Sequence, residues 1–199
     1  MTTAPTVRRP AAFLDRDGVI NIDRGYVYRR EEFEFVPGAL DGVRRLVELG
    51  FAPVVVTNQS GIGRGLYSEE DFHALSAWMA DRFADGRAPL AGIYFCPHHP
   101  EEANGPYRIA CDCRKPAPGM LLRAADELGL DLAASVLFGD RASDLLAAQA
   151  AGVPRRILLA TDGSGMPAAV PAGLATASHV RLDQAVEAEF APRPFRYAR

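Results

Sequence analysis

Two pairs of aspartates and a single lysine are the residues of this sequence best suited to chemistry. Asp15 and Asp17 lie in the segment Phe-Leu-Asp-Arg-Asp-Gly, directly after a short apolar run. Asp140 and Asp144 follow a second apolar run in the same way. Lys115 is the only lysine among the 22 basic residues, which are otherwise arginine. Because a compact ammonium differs physically from a planar guanidinium, Lys115 is a candidate for a specific charge role.

The acidic pairs are predicted to meet at one edge of a sheet with a threonine. Thr57 opens the polar segment Thr-Asn-Gln-Ser-Gly, which also follows an apolar run. Ligands of open α/β sheets bind outside the carboxyl ends of the strands. Clustered carboxylates repel one another unless a hard cation neutralises them, and oxygen ligands of this kind suit Mg²⁺. An Asp-X-Asp-Gly segment alone is more often a turn, but the four elements in order favour a magnesium-dependent site.

The three cysteines and a histidine form a second constellation, within residues 96–113. Three cysteines and one histidine are a common structural Zn²⁺ set, whereas Cys-X-Cys closes into a disulfide only with strain. His98 is favoured over His99, because Cys-X-His lets alternate residues point toward one ion. We therefore predict a structural zinc on Cys96, His98, Cys111 and Cys113; the plain alternative is buried or incidental thiols. Four protein ligands leave no open position for catalysis at this metal.

Short apolar runs that alternate with amphipathic segments predict the elements that position these residues. The runs are apolar on both faces, as in a parallel sheet that helices cover. Strands and helices in turn give right-handed βαβ units and a three-layer α/β domain, and the 199 residues fit one domain. The predicted strands span residues 12–14, 53–56, 93–95, 135–138, 156–159 and 179–181. The predicted helices span 40–49, 68–83, 118–128, 142–151 and 182–190, with a loop over 163–175 and loose ends over 1–10 and 192–199.

Composition and charge argue against several classes of function. The net charge of −3 gives no electrostatic basis for binding nucleic acid or a membrane surface. No apolar run approaches the ~18 residues of a membrane helix, and the apolar stretch after Arg8 and Arg9 is too short for a secretory signal. Three cysteines fit poorly with a secreted disulfide framework. We expect a cytoplasmic protein, and a monomer because nothing in the sequence marks an interface between copies.

The acidic pairs, the threonine and the lysine resemble, in order, the four motifs of the haloacid dehalogenase-like (HAD) hydrolases. The resemblance implies that Asp15 attacks phosphorus and forms an aspartyl-phosphate. It implies that Asp17 acts as general acid on the leaving alkoxide and then as base for the hydrolytic water. Thr57 would hydrogen-bond the transferring phosphoryl group, and Lys115 would neutralise both the nucleophile and the phosphate. Asp140 would bind Mg²⁺ together with Asp15 and the backbone carbonyl of Asp17.

Six linked segments narrow the resemblance to the heptose bisphosphate phosphatase family, in the histidinol-phosphatase-related branch of these hydrolases. They are Asp-Arg-Asp-Gly-Val-Ile-Asn, Gly-Tyr-Val, Thr-Asn-Gln-Ser-Gly-Ile-Gly-Arg-Gly, Cys-Pro-His-His-Pro, Cys-Asp-Cys-Arg-Lys-Pro and Gly-Asp-Arg-Ala-Ser-Asp. The resemblance implies a HAD-like, Rossmann-type sheet without a large cap domain. It implies a sugar phosphate substrate, dephosphorylated at C7 in the making of ADP- or GDP-heptose. The substrate contacts it implies are Asp23, Arg24, Gly25, Tyr26, Asn58, Gln59, Ser60, Arg114 and Arg141.

Two other functions and one residue role stay open. Histidinol-phosphate phosphatases share the catalytic motifs and the zinc set, but their stretch between Cys-Pro-His and Cys-X-Cys tends to be short, whereas residues 100–110 are longer here. Arg114 also offers a cation for a second phosphate, which histidinol phosphate lacks. A non-catalytic, zinc-stabilised binding protein is the other alternative, and the intact Asp15 and Asp17 argue against it. Asp144 is either a supporting acid or the N-terminal carboxylate of a helix.

Overall fold

A parallel sheet of six strands forms the centre of the computed structural model, which describes residues 8–160 and 170–190. Neighbouring strands pair in parallel, in the order β3-β2-β1-β4-β5-β6. Successive strands are added on one side of β1 up to β3 and on its other side from β4 onward. A ligand crevice is therefore expected at the carboxyl end of β1, beside its neighbours. The strands are β1 Arg9–Leu14, β2 Ala52–Asn58, β3 Gly92–Cys96, β4 Leu130–Gly139, β5 Arg155–Leu159 and β6 Ala177–His179.

Helices cover both faces of the sheet, as the apolar strands require. The helices are α1 Ala39–Glu48, α2 Ser60–Gly63, α3 Glu69–Asp85, α4 Gly119–Leu128, α5 Ala142–Ala150 and α6 Leu182–Phe190, with 3-10 turns at Arg30–Glu32 and Gly105–Tyr107. On one face, α4 and α5 pack against Ala11 and Phe13 of β1. On the other face, α1, α3 and α6 pack against Ala12 and Leu14. This alternation along β1 confirms the predicted three-layer α/β fold.

β4 differs most from its predicted length, and its neighbour β1 is also longer than predicted. β1 begins at Arg9 and β4 at Leu130, and the two pair across a register shift between Pro10 and Ala12. The Ser135 hydroxyl fills this irregularity: its Oγ accepts a hydrogen bond from the Ala11 amide at 2.8 Å and donates one to the Asp131 carbonyl at 2.5 Å. A side chain thus replaces ladder hydrogen bonds there, which periodicity cannot reveal.

The remaining differences from the sequence predictions are small. β6 lies two residues earlier than predicted, and α2 and the two 3-10 turns were not predicted. Within the described residues, the connection from β1 to α1 holds one 3-10 turn and no cap domain. Parts of the predicted loop (163–169) and of the predicted loose ends (1–7 and 192–199) lie outside the described residues. Among the helices of residues 8–160 and 170–190, none has the length and apolar character needed to cross a bilayer.

Candidate active site

A cleft of about 450 Å³ opens where the strands end. Asp15 and Asp17 follow β1, Thr57 lies near the end of β2, and Lys115 precedes α4. Because parallel strands present their carboxyl ends at one edge, residues far apart in sequence meet in one cleft. The predicted site residues that line it are Asp15, Asp17, Asp23, Gly25, Tyr26, Thr57, Asn58, Gln59, Ser60, Arg114, Lys115 and Arg141.

Lys115 is the charged centre of the cleft, and only 1% of its side chain is exposed. Its Nζ lies 2.9 Å from Oδ1 of Asp15 and 2.7 Å from Oδ1 of Asp144, and it donates to the Val56 carbonyl at 2.8 Å. Burial opposes the charge on Lys115, but the two carboxylates outweigh it and raise the pKa of the ammonium. Lys115 therefore stays charged and is held by three oxygen atoms.

Asp144 fulfils both of the roles that the sequence left open. It contacts Lys115, and its Oδ2 accepts a hydrogen bond from the Arg141 amide at 3.0 Å, which caps the N-terminus of α5. Gly139 precedes this turn, and a Cβ there would lie 2.4 Å from Cβ of Asp144. The glycine in Gly-Asp-Arg-Ala-Ser-Asp therefore lets the helix carry its carboxylate close to the strand.

The carboxylates of Asp15, Asp140 and Asp144 fit a divalent cation. One oxygen from each lies within 4.8 Å of the others, and Oδ1 of Asp140 is buried without a hydrogen-bond partner. Burial, with the charges of Asp144 and Asp140, raises the pKa of Asp15 to about 8 although Lys115 opposes the shift. Burial and Asp144 likewise raise the pKa of Asp140 to about 7. A hard cation at these oxygens would supply the missing positive charge, and carboxylate oxygens suit Mg²⁺.

Gly18 allows Asp140, which follows β4, to lie close to the segment that follows β1. Its φ is +84°, and a Cβ at this position would lie 2.3 Å from Oδ2 of Asp140. A side chain would therefore push Asp140 away from Asp15, and the conformation itself is one that L-residues rarely adopt. The glycine of Asp-X-Asp-Gly thus serves the site as well as the turn.

Asp17 lines the cleft, and its carboxylate accepts four hydrogen bonds. Nη2 of Arg16 donates to both of its oxygens, at 2.9 and 2.8 Å, and to the Val27 carbonyl at 2.8 Å. Asn21 donates to Oδ1 and Gln59 to Oδ2, each at 3.0 Å. The buried guanidinium of Arg16 thus ties Asp17 to the segment that follows the first motif. Asp17 is held in one place by neighbours on both sides.

The predicted substrate residues occupy three different settings. Tyr26 lies at the cleft with a strained φ of 53°, and the Arg64 guanidinium lies 5.6 Å from its ring centre. Asp23 and Arg141 pair across the cleft at 2.8 Å. Arg24 does not line the cleft and instead pairs with Glu34 at 2.5 Å on the surface.

Asn58 supports the lysine through the backbone. Its Nδ2 donates to the Lys115 carbonyl, and its Oδ1 accepts from the Lys115 amide, both at 3.0 Å. This pair of hydrogen bonds joins the end of β2 to the segment before α4. The Asn58 side chain thereby fixes the position of the Lys115 backbone relative to the end of β2.

The four predicted zinc ligands come together beside the cleft. One ligand atom from each of Cys96, His98, Cys111 and Cys113 lies within 4.8 Å of the others. The thiols are 3.1 to 3.5 Å apart, and Nδ1 of His98 is 3.3 Å from Sγ of Cys113. His99 has another task, since its Nδ1 accepts from the amides of residues 101 and 102. The thiolate-and-imidazole set suits Zn²⁺.

Burial raises the pKa of the Cys96 thiol. A zinc ion bound here would displace a proton from this sulfur, as is usual for structural sites. The segment after the cluster continues directly into the cleft, where Nη1 of Arg114 donates to the His98 carbonyl at 3.2 Å. The cysteine cluster thus anchors the loop that delivers Arg114 and Lys115.

Sequence reasoning missed several residues of the site. One of them is Arg16, which donates hydrogen bonds to the carboxylate of Asp17. The others line the cleft and are Gly61, Arg64, Tyr67 and Ser143. Arg64 lies within Thr-Asn-Gln-Ser-Gly-Ile-Gly-Arg-Gly, so its position in a motif was an available signal. Tyr67 carried no such signal, because its hydroxyl reaches Gln59 only after α2 has folded the chain back on itself.

Comparison with known proteins places this geometry among phosphatases. The family model for HAD-hydrolase-like proteins matches residues 112–185. The D-glycero-beta-D-manno-heptose-1,7-bisphosphate 7-phosphatase of Vibrio cholerae is 52% identical over 153 residues, which cover 77% of this chain and 82% of that protein. The enzyme of the same name from Escherichia coli K12 is 53% identical over 152 residues, which cover 76% of this chain and 80% of that protein.

A solved structure agrees with these relatives. The crystal structure of D,D-heptose 1,7-bisphosphate phosphatase from B. bronchiseptica, complexed with magnesium and phosphate, superimposes with a TM-score of 0.77 at 32% identity. The match covers 90% of this chain and 97% of that one. A HAD-like fold is therefore shared over nearly the whole of both chains.

Proposed function

Because the chain belongs to the family of D-glycero-beta-D-manno-heptose-1,7-bisphosphate 7-phosphatases, we propose that it removes the C7 phosphate of that sugar bisphosphate. It is a phosphoric monoester hydrolase with a HAD-like fold. The observation that carries the proposal is the 2.9 Å contact of the Lys115 ammonium with Asp15, inside a cleft that collects all four catalytic motifs. The product would serve the formation of ADP- or GDP-heptose.

The reaction begins with attack by a carboxylate oxygen of Asp15 on the C7 phosphorus. The bond between phosphorus and the sugar oxygen breaks, and Asp17 gives a proton to the departing alkoxide. Lys115 neutralises charge on the transferring group, and the Thr57 hydroxyl donates a hydrogen bond to it. Asp17 then takes a proton from water, which attacks the aspartyl-phosphate and releases inorganic phosphate and free Asp15.

Magnesium is the proposed catalytic cofactor, held by Asp15, Asp140 and the backbone carbonyl of Asp17. Bound Mg²⁺ supplies the positive charge that lets a phosphate dianion approach a carboxylate. The clustered oxygens and the unpartnered Oδ1 of Asp140 support this assignment, as does the magnesium in the B. bronchiseptica enzyme. Zinc on Cys96, His98, Cys111 and Cys113 is the proposed structural metal.

The second phosphate separates a sugar bisphosphate from histidinol phosphate. Arg114 lines the cleft in addition to Lys115, so a cationic group remains for an anion that is not being transferred, whereas Arg64, which also lines the cleft, pairs with Glu102. Arginine suits this task because its planar fork binds phosphate in a bidentate way. The relatives are named for the β anomer, and we propose the same preference here. Given its charge and its small soluble substrate, we propose that the protein works in the cytoplasm.

A substrate panel tests the proposed function. We expect kcat/KM with Mg²⁺ to be highest for the β-heptose 1,7-bisphosphate, lower for the α anomer and at least about tenfold lower for histidinol phosphate, which lacks the second anion. Asp15→Asn should lower the rate at least about a thousandfold, since it removes the nucleophile. A preference for histidinol phosphate would reject the substrate. Full turnover by Asp15→Asn would reject the mechanism.

A further inference from the structure

A buried chain of hydrogen bonds leads from Tyr67 to Asp17. The Tyr67 hydroxyl donates to Oε1 of Gln59, and Nε2 of Gln59 donates to Oδ2 of Asp17 at 3.0 Å and to Oγ1 of Thr57 at 2.9 Å. Gln59 is 2% exposed and Tyr67 7% exposed. The amide therefore joins the acid that follows β1 to the threonine at the end of β2, inside the protein.

Tyr67 decides which end of the Gln59 amide faces Asp17. A phenol hydroxyl that donates to the amide oxygen leaves the NH₂ group pointing the other way, toward the carboxylate. Burial raises the pKa of Tyr67 to about 12, so the phenol keeps its proton at neutral pH. With the amide reversed, its oxygen would face the carboxylate oxygens of Asp17 and repel them.

The tyrosine ring is itself fixed by close packing. It stacks on Tyr28 with ring centres 5.1 Å apart and an interplanar angle of 6°. Gly61 lies against the ring so closely that a Cβ there would be 2.2 Å from Cε1 of Tyr67. Ile62 and Phe72 complete the apolar cluster around it. The hydroxyl is therefore presented from a rigid support.

Arg16 and Asn21 hold Asp17 toward the segment after the first motif, whereas Gln59 ties it to Thr57. Thr57 is the residue proposed to hold the transferring phosphoryl group. The tie through Gln59 therefore fixes the acid relative to the group whose leaving oxygen it must protonate. A general acid works only within hydrogen-bond reach of that oxygen.

We propose that Tyr67, acting through Gln59, is a positioning residue that aligns Asp17 with the leaving oxygen. The proposal rests on the proposed function in one respect, namely that Asp17 is the general acid of phosphoryl transfer. Within the described residues, neither Tyr67 nor Gln59 forms a hydrogen bond with Asp15 or Asp140, the proposed nucleophile and metal ligand. We therefore expect the loss of the Tyr67 hydroxyl to affect mainly proton delivery.

The dependence on the leaving group tests the role of Tyr67. Tyr67→Phe removes one oxygen atom and keeps the stacked ring. We expect kcat/KM for the heptose bisphosphate, an alkyl ester that needs a proton, to fall about tenfold, a part of the 10²–10⁴ that general acid catalysis supplies. For p-nitrophenyl phosphate, whose phenolate leaves without a proton, we expect a change of less than about twofold. kcat/KM is the proper readout because it reports the steps up to phosphoryl transfer.

Tyr94→Phe is the matched control. Tyr94 is also buried, and its hydroxyl donates to Glu127 at 2.9 Å, outside the cleft. Loss of the Tyr94 hydroxyl should change kcat/KM for either substrate by less than about twofold, as is expected for a group away from the reacting atoms. Gln59→Met, which keeps the length of the side chain but removes its amide, should lower kcat/KM more for the heptose bisphosphate than for p-nitrophenyl phosphate. It should also cause a smaller loss shared by both substrates, because the amide donates to Thr57 as well. It provides the test if Tyr67→Phe does not fold.

Equal losses on the two substrates, or no loss on either, would overturn the positioning role. The proposed function fails in a different way, through the wild-type enzyme. If the wild type prefers histidinol phosphate, that alkyl ester takes the place of the sugar in the same comparison. If the wild type turns over no phosphate ester, both proposals are rejected.

Discussion

At the scale of single residues, the three carboxylates grouped around Lys115 outnumber its single ammonium. Asp15, Asp140 and Asp144 bring three carboxylates together, and Lys115 offers one ammonium in contact with two of them. Unpaired buried charges are costly, so the carboxylates take up protons or bind a cation. A divalent cation would leave the group neutral before the phosphate arrives. Metal binding would thus prepare Asp15 for its proposed role as nucleophile.

Lys115→Arg tests whether the shape of the cation matters as well as its charge. The ammonium fits between three oxygens at 2.7 to 2.9 Å, and a planar guanidinium cannot occupy that space without moving Asp15. We expect kcat/KM to fall at least about a hundredfold, the cost of misplacing reacting groups by an ångström. Arg123→Lys, an exposed arginine paired with Glu127, is the control. Activity within tenfold of the wild type would mean that charge alone suffices.

The residues of the site were predictable to the extent that their motifs lie at strand ends. Asp15 and Thr57 could be found because each follows an apolar run. Lys115 could be found because it is the only lysine in a sequence whose other basic residues are arginine. The partners that orient them could not. Tyr67 reaches Gln59 only through the turn of α2, and the Asn58 side chain pairs with a backbone segment 57 residues away. Such contacts follow from tertiary structure, on which local sequence patterns carry no information.

At the scale of elements, the loop from Pro97 to Lys115, which follows β3, is the part of the site without regular secondary structure. Apart from one 3-10 turn at Gly105–Tyr107, this segment contains neither helix nor strand in the structure. Its two ends are fixed by the cysteine cluster and by the hydrogen bonds of Asn58 to Lys115. A long irregular loop needs such crosslinks, because its backbone entropy opposes a single conformation.

Loss of a zinc ligand should loosen this loop. We expect Cys111→Ser and His98→Ala to release zinc, to lower the melting temperature by several degrees and to reduce kcat/KM, because a structural zinc contributes folding free energy. Zinc content is measured by atomic absorption and stability by thermal unfolding. His99→Ala is the matched control, since His99 bonds backbone amides and should keep the metal. Full zinc in Cys111→Ser, or its loss in His99→Ala, would refute the assigned ligands.

The elements themselves show where sequence patterns succeed. The helix predicted over 182–190 is observed at Leu182–Phe190, and the one predicted over 68–83 is observed at Glu69–Asp85. The second begins where Ser68 and Asp71 form a reciprocal capping box, which is a local signal. β4 was predicted at less than half of its observed length, because its first residues pair with β1 across an irregularity and lack a continuous apolar run.

At the scale of the whole molecule, the sheet separates two apolar cores that share its strands. The cleft lies at one edge of this sheet, and α1 and α6 lie on one face of it. The single domain and the monomer predicted from the sequence stay predictions, and the one continuous sheet of the described residues supports the first of them. Stability and catalysis are therefore expected to be separable at positions far from the strand ends.

Gly42 offers a test of that separation. A Cβ at Gly42 would lie 2.7 Å from Cγ of Leu182 and 3.0 Å from the Asp183 amide nitrogen, so α1 and α6 approach closely only because this residue is glycine. In Gly42→Ala, overpacking should cost about 1–3 kcal/mol, and the better helix propensity of alanine should return about 1 kcal/mol. We expect a net loss of about 1 kcal/mol in the free energy of unfolding, measured with urea.

Gly86→Ala is the control for the exchange itself, because a Cβ at Gly86 would meet no atom closer than 3.4 Å. It should leave the free energy of unfolding within about 0.5 kcal/mol of the wild type. Both variants should keep the wild-type kcat/KM, since no residue of α1 or α6 lines the cleft within the described chain. A Gly42→Ala protein as stable as the wild type would show that the two helices can move apart freely. A lower kcat/KM in the folded variant would instead show that the spacing of α1 and α6 affects the cleft.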